Sequence, residues 1–295
     1  MTAQRDRHDT PMRRNLYAMR LGLGRGWLEF KMGLRSPQDQ GFYLFIGAAV
    51  LIYLTLRRNS EVAGTDLLYP TVAMPSILGG LLAFGVVIGP AYQLAMERED
   101  GTLLRAKAIP RGMLGHVTGQ VFSFALGLLP MLAVILLPCA LLFDDLMHRG
   151  AAGWFTMVWM LGLGMLATLP IGMIIGAVVP STQKVGTWGM LPVMVLAGTS
   201  GIFYPIQELW GWVQGVVQVF PMYWIGLGMR SAFLPDSAAE VEVGGSWRTV
   251  ETVSVLGAWA VVGLLIAPMV LRRMARRQSG SQVEAAKQAA LQWVR

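Results

Sequence analysis

Residue types able to do covalent or acid–base chemistry are scarce in this chain, and they do not gather. Asp144 and Asp145 stand just ahead of His148, and two carboxylates beside an imidazole can move protons if a fold brings a reacting bond against them. They fall at the outer end of a long apolar stretch, where a solvated loop accounts for them more simply. His8 and His116 are remote from that group, and Cys139 is the single cysteine, so neither a metal-ligand set nor a disulfide framework is indicated. No Gly-x-x-x-x-Gly-Lys-Ser/Thr phosphate loop occurs, and no long polar region could house a nucleotide.

The densest charge between apolar stretches is Glu97-Arg98-Glu99-Asp100-Gly101-Thr102-Leu103-Leu104-Arg105-Ala106-Lys107-Ala108-Ile109-Pro110. Its chemistry is recognition. Acidic residues, a small turn and a basic segment make a compact helix-containing loop that fits a groove on a partner. Composition alone also reads it as a solvated loop with orienting positive charge.

The elements around this cluster must be membrane helices. The chain is 54% hydrophobic and 14% charged, with mean hydropathy +0.52, too little polar surface for a water-soluble globule. The net charge of +7 could suit nucleic acid, but the basic residues flank apolar stretches, which points to a lipid bilayer and not to nucleic acid. The polar, basic start from Met1 to Arg14 is not followed by a short apolar core with a cleavage site, so no signal peptide is expected.

A bilayer core about 30 Å thick needs roughly 20 helical residues. Six stretches approach that: Phe42 to Leu56, Leu67 to Met96, Met113 to Phe143, Gly153 to Val179, Val185 to Tyr204 and Val253 to Leu271. The expected fold class is an all-α integral membrane protein of about six transmembrane helices. With the N-terminus inside, only Arg57, Arg58, Arg149, Arg230 and Arg248 of the 24 basic residues fall on the outer side, so both termini are expected in the cytoplasm. Pro75, Pro90, Pro130 and Pro138 are candidate kink sites.

Outside the spans, Leu16, Met19, Leu23, Trp27, Phe30 and Leu34 share one helical face, which predicts an amphipathic helix at the cytoplasmic membrane surface. Residues 205–224 are apolar but broken by Gly211, Gly215 and Pro221, which predicts short outer helices in place of a seventh crossing. Trp210, Trp212, Tyr223 and Trp224 there suit interfacial anchors. Arg272-Arg273-Met274-Ala275-Arg276-Arg277 opens a basic tail suited to anionic headgroups. The chain thus divides into residues 1–40 with the surface helix, a transmembrane domain over 41–271, and a tail over 272–295.

This order of surface helix, two spans, a Glu97-Arg98-Glu99-x-Gly101-Thr102-Leu103 loop ending at Pro110, three spans, a broken aromatic segment and a last span resembles type 2 ABC exporter permeases. Gly201, Phe203, Pro205, Trp210 and Pro221 mark the outer segment. The resemblance implies that the loop from Glu97 to Pro110 contains the helix that couples the membrane subunit to an ABC ATP-binding subunit. It also implies an elbow helix over Leu16 to Leu34, outer re-entrant helices over Ile206 to Tyr223, and a dimer of two permeases with two ATPase subunits. No cofactor is expected on this chain; ATP and Mg are expected on the partner. Two departures stand out: Leu104 and Arg105 where many members carry a further acidic residue, and Trp210 where many carry proline.

Almost no ionisable residue interrupts the spans, which disfavours a proton relay, and repeated halves of a secondary transporter are not visible. An adaptable apolar path suits a hydrophobic or amphipathic cargo such as a drug or antibiotic, and Met165, Met173, Met190 and Met194 could serve it or simply pack helices. Glycan or lipid-linked polymer export is the alternative within the family. An intramembrane enzyme built on Asp144 and Asp145, or a membrane assembly or sensor protein, are the alternatives from other classes.

Overall fold

A computed structural model describes residues 11–61, 67–143, 147–202 and 206–277. Among the described residues the chain is helical, with no sheet beyond one isolated antiparallel bridge between Glu61 and Leu68. Five helices are long and apolar enough to cross a membrane: α2 (Pro37–Leu56), α3 (Tyr69–Glu99), α5 (Gly112–Leu142), α6 (Gly150–Val178) and α11, which runs Thr249–Arg277. Preceding them, α1 covers Pro11–Arg35, and the short α4 (Thr102–Ala108) joins α3 to α5.

The first span is longer than its apolar run suggests. Ser36 accepts the backbone N–H of Asp39 and Pro37 opens the helix, so α2 begins five residues before Phe42. At the other end of the chain, α11 continues through the arginines as far as Arg277, where a tail was expected from 272. Helices α3, α5, α6 and α11 run continuously through Pro75 and Pro90, Pro130 and Pro138, Pro170, and Pro268 respectively.

The fifth expected span is the exception. Residues 182–199 form α7 (Thr182–Lys184), a π-helical turn (Val185–Gly189) and α8 (Leu191–Thr199), and Phe203, Tyr204 and Pro205 lie outside the described residues. Pro192 has no N–H to continue the ladder across the junction. Thr182 nevertheless sits against Glu99, and Ile202 against Gly80. The broken run therefore climbs α3 by about 28 Å at the helical rise, close to a full bilayer core of ~30 Å. It ends short of the N-terminal tip of α3, and α9 (Gly211–Val217) and α10 (Pro221–Phe233) follow.

Helix α3 is the axis of the bundle: 56% of its most apolar window is buried, against 11% in α2 and 22% in α11. Without a hydrophobic drive between helices in lipid, close backbone approach has to hold the bundle together. Gly172 and Gly176 of α6 lie on the carbonyls of Val87 and Ala91 of α3, and Gly79 of α3 lies on Gly226 of α10. Every residue of α10 is buried, which places Tyr223 and Trp224 in the core and not at an interface as their type suggested. Trp210 and Trp212 do stay exposed, stacked 6.2 Å apart.

Helix α1 meets α5 through glycines. Its buried stripe is Gly22 and Gly26, seated on Gly115 and Gly119 of α5, which leaves the predicted apolar face uncovered by protein. Leu16, Met19, Leu23, Trp27 and Leu34 remain largely exposed. Glycines that weaken an isolated helix here let two backbones touch. A Cβ on Gly26 would collide with the Gly119 carbonyl oxygen, while one on Gly24 meets nothing within 4 Å. Gly26→Val is expected to wedge α1 off α5 at a cost of about 1–3 kcal/mol for overpacking. Gly24→Ala leaves the thermal midpoint of the purified protein unchanged, so a thermal melt of the two variants separates them.

Candidate functional site

The acidic residues Glu97 and Glu99 and the intervening Arg98 form the last turn of α3, not a loop, and each reaches a different neighbour. Glu97 is only 6% exposed. Its Oε2 accepts His116 Nε2 at 2.6 Å and Gln120 Nε2 at 2.8 Å from α5, and its Oε1 accepts Gln93 Nε2 at 3.3 Å. Arg25 of α1 donates to His116 Nδ1 at 2.8 Å. A guanidinium can only donate, so Nδ1 is the acceptor and the ring proton on Nε2 goes to Glu97. One buried carboxylate thus ties α3 to α5 and, through the imidazole, to α1.

Arg98 points the other way, donating to the carbonyls of Gly176, Ala177 and Val179 at 3.2, 3.2 and 2.8 Å. These are the unpaired carbonyls at the end of α6, where a cation is favoured by the helix dipole. Glu99 accepts the Thr182 backbone N–H at 2.8 Å and its hydroxyl at 3.1 Å, starting α7 from outside. The Glu97-Arg98-Glu99 turn therefore clamps the ends of α5, α6 and α7 to the end of α3.

Beyond the clamp the chain turns sharply. Gly101 has φ +78° and Arg111 φ +58°, so α4 is bracketed by two left-handed residues. Asp100 Oδ1 accepts the Thr102 N–H at 2.7 Å to start α4, and Leu103 is 1% exposed in the apolar core. The opposite side of the corner, with Arg105, Ala108, Ile109 and Pro110, is exposed, and Ile109 is an uncovered apolar side chain. A cavity of about 900 Å³ adjoins it, with Arg13, Tyr17 and Leu21 of α1 on one wall and Ile109 and Pro110 on the other.

The corner is thus anchored from behind and presents a mixed basic and apolar face. The family model for ABC-2 type transporters covers residues 33–234. The chain belongs to the ABC-2 type transporter family. No curated protein matches it. It is therefore a multi-pass permease subunit, a transport component of the membrane. Most of α1 and all of α11 lie outside the matched residues.

The end of the bundle remote from the α3–α4 corner holds a second cluster. Arg230 of α10 pairs with Glu242 at 2.5 Å, both nearly buried, and donates to the Gly201 carbonyl at 3.1 Å and to Ser76 of α3 at 3.3 Å. Gly201 itself turns with φ +76°, Trp210 caps α9, and the buried Pro221 opens α10. Phe203 and Pro205, expected in this group, lie outside the described residues, as do Asp144 and Asp145. Gly201 and Pro221 thus meet the same packed block, while Trp210 stays exposed beside it.

Between α2, α3 and α8 the permease holds an open cavity of about 610 Å³, lined by Tyr53, Tyr69, Phe84, Met194 and aliphatic residues, without a charged side chain. The Tyr53 and Tyr69 hydroxyls meet at 2.6 Å at one end. Of the four methionines singled out by sequence, Met194 lines this cavity, Met190 is buried, and Met165 and Met173 line a different one.

The inward role of Glu97 and the Arg230–Glu242 pair were missed by sequence. A signal existed for the first: Gln93 with Glu97, and His116 with Gln120, are both spaced by four, placing polar groups on one face of each apolar helix. Nothing local predicted that Arg230 and Glu242 would meet.

Proposed function

We propose that this chain is the membrane-spanning subunit of an ATP-driven exporter that moves a hydrophobic or amphipathic compound, such as a drug or antibiotic, out of the cell. It works in the cell membrane with both termini cytoplasmic. It pairs with a second permease, identical or homologous, and with ABC ATP-binding subunits that carry the ATP and Mg. The observation that carries this reading is the corner at α4: exposed at Arg105, Ile109 and Pro110, and backed by a clamp joining four helices.

Such a corner transmits displacement. If ATP closes the partner around α4, the Glu97-Arg98-Glu99 turn carries the ends of α3, α5, α6 and α7 together, because each is hydrogen-bonded to that turn. The break between the π turn and α8 is the place for that motion to bend, and α8 walls the uncharged cavity. Access to the cavity would then change with nucleotide state. The cavity volume suits a drug-sized molecule, for which pockets run to about 300–1,000 Å³, better than a polymer.

The test is transport itself. Inverted vesicles containing the permease with an ABC ATP-binding subunit from the same genome should accumulate a fluorescent amphipathic compound only when ATP is added. Phe84→Arg, which puts a charge into the cavity, should suppress uptake while the complex still assembles. ATP-independent uptake, or uptake indifferent to Phe84→Arg, would contradict the reading.

A further inference from the structure

A cavity of about 910 Å³ lies between α5, α6 and α11, sharing no residue with the one between α2, α3 and α8. Its depth is apolar, as at Leu166 and Leu264. Its mouth is basic: Arg111 stands at the start of α5, Arg272 and Arg276 on the last turns of α11, and Asn15 of α1 adds an amide. No acidic residue lines it, and none of the three arginines forms an ion pair among the described residues.

The dimensions match one leaflet. The lining runs from Arg111 to Ala125 on α5, about 21 Å at the helical rise, and from Arg276 to Leu264 on α11, about 18 Å. Half a bilayer core is ~15 Å. The cavity therefore reaches from headgroup level through the hydrocarbon of a single leaflet, with cations where the headgroup lies. Guanidinium groups bind phosphate oxygens in paired hydrogen bonds, and three uncompensated ones select an occupant with net negative charge. A small soluble anion would leave the apolar depth unfilled. A zwitterionic lipid would leave the arginines unneutralised.

We propose that this cavity is a binding site for an anionic phospholipid of the adjoining leaflet, one acyl chain filling the apolar depth and the phosphate held by Arg111, Arg272 and Arg276. The left-handed backbone of Arg111 fixes the corner that carries its guanidinium. The site shares no lining residue with the uncharged cavity, so lipid and cargo do not compete for it.

The test uses the full chain reconstituted in phosphatidylcholine bilayers with trace spin-labelled phosphatidylglycerol or phosphatidylcholine, reading the motionally restricted fraction of each. Phosphatidylglycerol should be preferred by on the order of tenfold, as several basic groups at a membrane surface provide. Arg272→Gln with Arg276→Gln, or Arg111→Asn alone, should reduce that preference several-fold. Leu166→Trp, which fills the depth and leaves the charges, should also reduce it, while Arg57→Gln with Arg58→Gln should keep it. No preference in the unaltered protein would overturn the proposal whatever the variants do. So would indifference to Leu166→Trp, which marks headgroup attraction without a chain site, or full displacement by inorganic phosphate, which marks an anion site only.

Discussion

Glu97→Ala is expected to cost the folded permease about 2–6 kcal/mol, because it strands two buried hydrogen-bond donors. Two buried donors, His116 Nε2 and Gln120 Nε2, lose their acceptor, and Arg25 loses the imidazole orientation that holds α1. A buried donor left unpaired costs about 1–3 kcal/mol by itself, so the losses need no contact with any partner. The thermal midpoint of the purified protein should fall sharply, and Glu97→Gln, which keeps one acceptor oxygen, should restore more than half of it. An unchanged midpoint for Glu97→Ala would show that the network is not structural. Coupling would suffer too, but as a consequence of the clamp coming apart.

Arg105→Glu combined with Ile109→Ser should do the reverse. Among the described residues Arg105 hydrogen-bonds only to Thr102 on its own helix, at 3.1 Å, and Ile109 is 62% exposed, so neither holds the fold. Surface changes of this kind usually stay within about 0.5 kcal/mol of neutral. Reversing a charge and removing an apolar contact at the centre of a docking face, however, typically weakens association by roughly tenfold or more. The variant is predicted to keep its thermal midpoint and lose its ATP-binding subunit on co-purification. If instead it unfolds, α4 belongs to the core and docking lies elsewhere. If it stays folded and keeps the partner, the docking face is not at this corner.

The contrast between these two variants marks what was legible in the sequence. Apolar run length exposed the spans, because lipid forces each one to close its own hydrogen bonds, and the Glu97 to Pro110 cluster stood out by charge alone. Direction did not. Whether Glu97 faces a partner or the bundle depends on where His116 and Gln120 sit, nineteen and twenty-three residues away on another helix. The glycines of α1 failed as signals for the same reason: Gly22 and Gly26 read as helix-weakening until Gly115 and Gly119 are placed opposite them. Hydropathy also gave no sign of the break in the fifth run, where a π turn and Pro192 interrupt an apolar stretch. Tyr223 and Trp224 carry the residue types of an interface, yet α10 is buried on every side by α3, α6 and α11.

The most direct test of the central claim is the ATPase rate of an ABC ATP-binding subunit from the same genome, measured in lipid alone, with this permease, and with the Arg105→Glu, Ile109→Ser permease. The permease should raise the rate above that of the ATPase alone, and the variant, at an unchanged thermal midpoint, should bring it back down. A rate indifferent to the permease, or no ATP-binding subunit that associates with it, would contradict the account.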